Sequence, residues 1–249
     1  NGTAAGAATV RVDGRGTLSL TGFTAASTIL LSAGDGDDVL SITAGTGTNF
    51  TITADAGGPS GSDTVVFNGT SGDDVVTYTP SATVAANATV VVNGITTNVV
   101  DTETITINGL GQATADSITV NEALAGTNDS VVLTPGTADD GAFRMNSSSP
   151  VTFLSLETRN VNTGTGTDTL TVNTSAANNT VTVAGAAGAN TVTVDGALTT
   201  FTHDTTASDI LVVNLGDGDD TATVTPTTGI ADAINGGSGS DTLNVVNGA

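Results

Sequence analysis

The sequence predicts an all-β protein folded as a right-handed parallel β-solenoid of about ten coils, roughly 50 Å long. Three observations carry that expectation. First, one strand-and-turn pattern returns at Asp63, Asp116, Asp168 and Asp220, at intervals of 53, 52 and 52 residues (116−63, 168−116, 220−168). A period of this order marks stacked units, in which function belongs to the array. Second, each repeat opens an alternating run, DTVVF, DSITV, DTLTV and DTATV, and the same alternation recurs at Thr51-Ile52-Thr53, Thr104-Ile105-Thr106 and Thr180-Val181-Thr182. A period of two puts threonines on one strand face and aliphatics on the other. Third, helix signals are almost absent, since Thr, Val, Gly and Asn dominate and no long stretch has a period of 3.6.

Taken in order, the units form one repetitive domain over residues 1–249, with boundaries near 1–37, 38–62, 63–115, 116–167, 168–219 and 220–240 and a partial unit at 241–249. Thr9 to Thr43 returns as Thr191 to Thr225, an offset of 182 (220−38). Short units of 25 residues (63−38) and 21 residues (241−220) stand beside the long ones. The short unit reads as one coil and the long unit as two, because a solenoid takes whole coils without disturbing their neighbours. Asp241 to Ala249 (DTLNVVNGA) matches the opening of a long unit, and Asn1 to Gly14 reads as a unit lacking its opening strand. A polymer is expected on that ground, made of copies joined by strand donation or of adjoining repeats in a longer chain. The rival fold is a string of tandem β-sandwich (immunoglobulin-like) modules, and a short unit would leave such a sandwich incomplete.

Composition narrows the function. Hydrophobic residues make up 37% and aromatics 3%, with no Trp, so the expected core is Val, Ile, Leu and Ala. A net charge of −21, with four Arg and no Lys, excludes nucleic-acid binding through phosphate neutralisation and attraction to an anionic membrane. No apolar run reaches membrane-spanning length. Absent cysteine excludes disulfides and thiol chemistry.

Gly and Asp turns are the strongest local signal: AGDGDDVLS at 33–41, GGPSGSDTV at 57–65, TGTGTDTLT at 163–171, LGDGDDTAT at 215–223 and GGSGSDTLN at 236–244. The last fits GGxGxDxUx, with U a large aliphatic, at every position. It resembles the calcium-binding nonapeptide of the repeats-in-toxin (hemolysin-type) family. That resemblance implies that the glycines turn backbone carbonyls towards an ion, that the matching Asp38, Asp63, Asp168, Asp220 and Asp241 supply carboxylate oxygen, and that the aliphatic packs inside. Coils of about 25 residues would bring these separated turns within roughly 5 to 10 Å of one another. Independently, Asp35, Asp37 and Asp38, like Asp217, Asp219 and Asp220, place three carboxylates within four residues. Stacking such turns crowds like charges and favours a cation, and an oxygen-only ligand set points to Ca²⁺. The alternative for all nine aspartates is ordinary solvated turn chemistry.

Catalysis is not expected. His203, the single histidine, reads as a surface residue beside Asp204, and no Trp with one Tyr leaves little for sugar rings to stack on. Arg144 and Arg159 are the basic candidates for a calcium-dependent polysaccharide lyase. The chain as a whole resembles the long, Thr/Gly/Asp-rich repetitive surface proteins of bacteria, which implies a secreted, cell-surface or matrix location. The expected function is a structural repeat module of an extracellular fibre, filament or stalk, stiffened by calcium and continued head to tail. The alternative is an adhesin for a host surface, a polysaccharide or, by resemblance of the flat TxT face to β-helical ice-binding proteins, ice. A ligand would then be sought at the irregular stretch Asn121 to Pro150, which contains Arg144 and Met145.

Overall fold

A computed structural model describes residues 8–11, 17–21, 24, 27–43, 50–58, 62–111, 115–136, 139–186, 188–204, 209–226 and 230–246. The expected opening of the first unit, Asn1 to Gly14, lies outside these residues except for 8–11. Alternating Val, Ile and Thr make strands throughout. β1 (Ala8–Arg11) and β2 (Thr17–Leu20) form an antiparallel pair of their own. Next come β3 (Thr28–Ser32), β4 (Val39–Thr43), β5 (Thr51–Asp55) and β6 (Thr64–Asn68). A zigzag of three antiparallel strands follows, β7 (Val75–Pro80), β8 (Ala88–Val92) and β9 (Ile95–Val100), then β10 (Thr104–Asn108) and β11 (Ser117–Asn121). The second zigzag is β12 (Ser130–Pro135), β13 (Gly141–Met145) and β14 (Val151–Leu154), followed by β15 (Thr158–Asn162) and β16 (Thr169–Asn173). The third is β17 (Thr180–Ala186), β18 (Ala189–Val194) and β19 (Ala197–Thr202). Last are β20 (Asp209–Asn214), β21 (Thr221–Val224), β22 (Ile230–Asn235) and β23 (Thr242–Val245).

These strands build two large, mostly parallel sheets. The nine-stranded sheet runs β22-β20-β16-β12-β13-β14-β10-β6-β4, and the twelve-stranded sheet runs β23-β21-β17-β18-β19-β15-β11-β7-β8-β9-β5-β3. The chain crosses from one sheet to the other and back, climbing one strand layer each time, so the fold is a β-solenoid as the repeats predict. The sandwich alternative is overturned because both sheets continue through every repeat rather than closing within pairs of them.

The long repeat is not two plain coils. Each 52- or 53-residue unit holds five strands, β6–β10, β11–β15 and β16–β20, of which three form a zigzag within one sheet. Five is odd, so successive repeats begin in opposite sheets: β6 and β16 in the nine-stranded, β11 and β21 in the twelve-stranded. The repeat is therefore a half-turn screw, and the zigzags fall alternately on the two faces. The short unit, β4–β5 before β6, is one coil of two strands, as expected. Two zigzags reverse through two-residue turns with positive φ at both residues, Asn93-Gly94 (51°, 83°) and Asp195-Gly196 (50°, 93°), which suit hairpins with right-handed twist.

The core lies between the sheets. Ile52, Val65, Phe67, Ile105, Ile107, Leu170, Val172, Val181 and Val183 are buried while their threonine neighbours face out. The aromatics among the described residues also point inward. Tyr78 of β7 meets Phe143 of β13 edge to face, 5.2 Å between centroids, which locks one sheet onto the other. Stacked turns approach as closely as the strands do. A Cβ added to Gly57 would lie 1.8 Å from the Gly34 carbonyl oxygen, and one on Gly237 would lie 1.8 Å from that of Gly216.

Candidate functional site

The residue that leads a strand must turn the chain from corner to sheet, and its N–H has no place in the ladder of the strand that follows. Here a carboxylate from the next layer accepts it. Asp38 donates to Asp63 Oδ1 (2.7 Å) and Asp63 to Glu103 Oε2 (2.9 Å). Asp129 donates to Asp168 Oδ1 (2.7 Å) and Asp168 to Asp209 Oδ1 (2.8 Å). In the twelve-stranded sheet, Asp74 donates to Asp116 Oδ1 (2.6 Å) and Asp116 to Glu157 Oε2 (2.9 Å). A fourth column runs from Asn179 to Asp220 Oδ1 (2.6 Å) and from Asp220 to Asp241 Oδ1 (3.1 Å). Each such charge-assisted bond contributes about 1.5–3 kcal/mol. Five of the predicted aspartates, Asp38, Asp63, Asp168, Asp220 and Asp241, thus fall into ordered columns. Asp116, a repeat anchor in the sequence, is the middle of a column, and Asp74, Glu103, Asp129, Glu157, Asn179 and Asp209, which were not singled out in the sequence, complete the set. Their signal is a second spacing of about 40 residues, 40 from Asp63 to Glu103 and 41 from Asp168 to Asp209, that spans a zigzag.

The other carboxylate oxygen is the chemical peculiarity of these columns. Oδ2 of Asp38, Asp63, Asp116, Asp129, Asp168 and Asp220 is buried with no hydrogen-bond partner among the described residues, and that of Asp209 faces His203 Nδ1 at 3.3 Å. Burial pushes the carboxyls of Asp116, Asp129 and Asp209 above the usual range, and stacked neighbours add to it: Asp74, Glu157 and Asp73 at Asp116, Asp168 at Asp129, and Asp168 and Asp204 at Asp209.

No protein-family model, no curated protein and no solved structure matches the chain.

The remaining predicted ligands lie elsewhere. Asp35, Asp37, Asp217 and Asp219 are exposed on the turns, with Asp219 Oδ1 accepting the Ser240 N–H at 2.8 Å. Among the described residues no three His, Cys, Asp or Glu side chains converge as a metal site. The oxygen donors suit calcium in kind, but their arrangement in columns, with one oxygen of each pair committed to a backbone N–H, does not form a preorganised cage.

Each zigzag is pinned to its column by one amide and one carboxylate. Asn146 donates through Nδ2 to Asp129 Oδ1 (2.6 Å) and accepts the Ser130 N–H (2.8 Å). Asn93 does the same for Asp74 and Val75. In the third zigzag the types are exchanged: Asn179 Nδ2 donates to Asp195 Oδ2 (2.7 Å), and Asp195 Oδ1 accepts the Thr180 N–H (2.7 Å).

His203 corrects the sequence expectation, because it is buried rather than on the surface. Its Nδ1 lies 2.8 Å from the Asp204 carbonyl and 3.3 Å from Asp209 Oδ2, both acceptors, so Nδ1 carries a hydrogen. Nε2 is 3.1 Å from Asn190 Oδ1. The ring therefore orients the end of a column. Arg159 is also buried, its guanidinium 5.1 Å from the Phe153 ring centre, and burial pulls its pKa below the ordinary value. Arg144 instead clamps the loop after β13, donating to the carbonyls of Ser148 (2.8 Å) and Ser147 (3.2 Å). Between the irregular stretch and the loop after β7 a cavity of about 220 Å³ opens, with Pro80–Ala85 on one side and Leu124, Asn128 and Met145–Ser148 on the other.

Proposed function

We propose that the chain is a structural repeat module of an extracellular fibre, filament or cell-surface stalk, continued head to tail by copies of itself or by adjoining repeats. One observation carries this reading: both sheets and the carboxylate columns pass from repeat to repeat through contacts between neighbouring layers, so length can grow without a new kind of contact. The reading assigns no catalytic step. Its surface location draws on the resemblance to repetitive bacterial surface proteins and on the acidic, threonine-covered exterior.

Calcium belongs to this proposal as a separate part, recruited by the exposed acids of the turns at 35–37 and 217–219. Light scattering and electron microscopy of the purified chain, in about 5 mM calcium and in EGTA, test both parts. Filaments or rods in either buffer support the module. A compact monomer in both overturns it. Filaments indifferent to EGTA remove calcium and leave the module standing.

The cavity beside Met145–Ser148 favours a second reading, an adhesin for a surface polysaccharide. Its wall is half hydroxyls and amides and half apolar residues such as Val84, Leu124 and Met145, and carries no acidic or basic side chain in a chain of net charge −21. Polysaccharide binding that survives Ser147→Trp would rule out this cavity.

A further inference from the structure

The first and last described layers of the two large sheets carry opposite halves of one contact. In every column the N–H of an earlier layer donates to the carboxylate of a later one. The last layer therefore presents the Asp241 N–H, and the first presents the Asp38 carboxylate, to which no earlier layer among the described residues donates. The glycine turns have the same polarity. Gly57 lies over the Gly34 carbonyl, Gly237 over that of Gly216 and Gly239 over that of Gly218, whereas a Cβ on Gly34 would meet nothing within 4 Å. One end thus offers turn carbonyls at Gly237 and Gly239, and the other offers the open Cα face that such carbonyls fill. At the β23 end Leu243 and Val245 are 57% and 62% exposed, although Ala222 and Val224, their partners in register, are buried; on β4 the inward Leu40 is half-buried and Ile42 buried.

We propose that one copy of the chain joins the next by stacking β23 on β4 and β22 on β3, the second copy being turned by half a revolution about the long axis. The inference rests on the head-to-tail reading and specifies its joint. Straight stacking would set β23 on β3, which is led by Ser27 and has neither the glycine turn nor the carboxylate. With the half turn, the Asp-led strand at the GSGSD turn (237–241) meets the Asp-led strand at the GDGDD turn (34–38), as β21 meets β23 within the chain. Strands also continue to alternate between the two faces, and the joint repeats the half-turn screw that relates the long units. The column then runs Asp220, Asp241, Asp38, Asp63 and Glu103 without a break.

Continuing the register of β21 on β23, where Thr223 faces Asn244, sets Asn244 opposite Ser41 of the next copy, both side chains outward. Neighbouring strands meet within disulfide reach, and the chain has no cysteine of its own. The test is mild oxidation of Ser41→Cys/Asn244→Cys, with Leu30→Cys/Asn244→Cys as the straight-stacking control, read on non-reducing gels. The expected result is a reducible ladder of multimers from the first variant, about tenfold stronger than from the second. A ladder from the control alone, or from neither variant while the unmodified chain forms filaments, overturns this joint and spares the head-to-tail reading. An unmodified chain that stays monomeric in microscopy and light scattering overturns both.

Discussion

Asp129 and Asn146 show how a single proton and a single amide hold a zigzag in place. Asn146→Asp would set two carboxylates where a 2.6 Å hydrogen bond now stands. The expected loss is about 2 kcal/mol, measured by chemical denaturation. The exchange Asp129→Asn/Asn146→Asp recreates the arrangement found at Asn179 and Asp195 and should recover most of it; a double variant as unstable as the single would show that the pairing is not interchangeable. The columns make a second prediction. Asp116, Asp129, Asp209 and Asp232 have pKa values raised in the folded state, chiefly by burial. A carboxyl of this kind contributes stability that is present below its unfolded value, about 3.9, and lost as pH rises through its folded value. Lowering pH from 7 to about 4.5 should therefore raise Tm by a few degrees. A steady fall of Tm over that range would contradict it. Five column aspartates were legible because they close glycine turns. Asp74 closes Gly72-Asp73-Asp74 much as Asp38 closes Gly36-Asp37-Asp38, a signal passed over, whereas nothing local distinguishes Asp129 and Asp209 from solvated acids and their partners lie about 40 residues away.

Strand alternation was legible in the strands that open the repeats, and so was the coil of 21 or 25 residues. The zigzags were not. β8 (ATVVV) and β9 (ITTNVV) carry the same Thr, Val and Ile as the parallel strands, and reversal is written only in Asn93-Gly94 and Asp195-Gly196, whose dipeptides are common in a chain rich in Gly, Asn and Asp. The long unit therefore passed for two coils when it is one and a half coils plus an out-and-back excursion. An element in this fold is protected by neighbours on both sides, which sets an order of hydrogen exchange. Amides of β10, β15 and β16 should exchange slowest, and those of β3, β4, β22 and β23 at least about tenfold faster, as recorded by mass spectrometry of peptic fragments. Equal protection at the ends and in the middle would mean that the layers unfold as one block. When copies assemble, protection should rise at those four end strands before anywhere else.

Across the whole molecule, charge opposes the growth that shape encourages. Copies of net charge −21 repel, and Asp232 stands on the inner side of β22, in register with buried Leu211, where a stacked copy would enclose it. Its pKa is already raised, by burial and against the pull of His203. Asp232→Asn should lower the concentration at which assembly begins severalfold, and added salt should do the same for the unmodified chain through screening. Light scattering against concentration reads both, and an unchanged threshold for the variant would place Asp232 outside the joint. The layered path of the chain also decides how such a rod bears load. Its strands lie across the long axis, so a pull on the two ends draws directly on the rows of hydrogen bonds between layers and shears none of them. A plain coil of 21–25 residues can peel away while the next stays folded, releasing roughly 7–8 nm of slack each time. Stretched, the rod yields rung by rung as a shock absorber, and each rung that closes again restores the length it gave up.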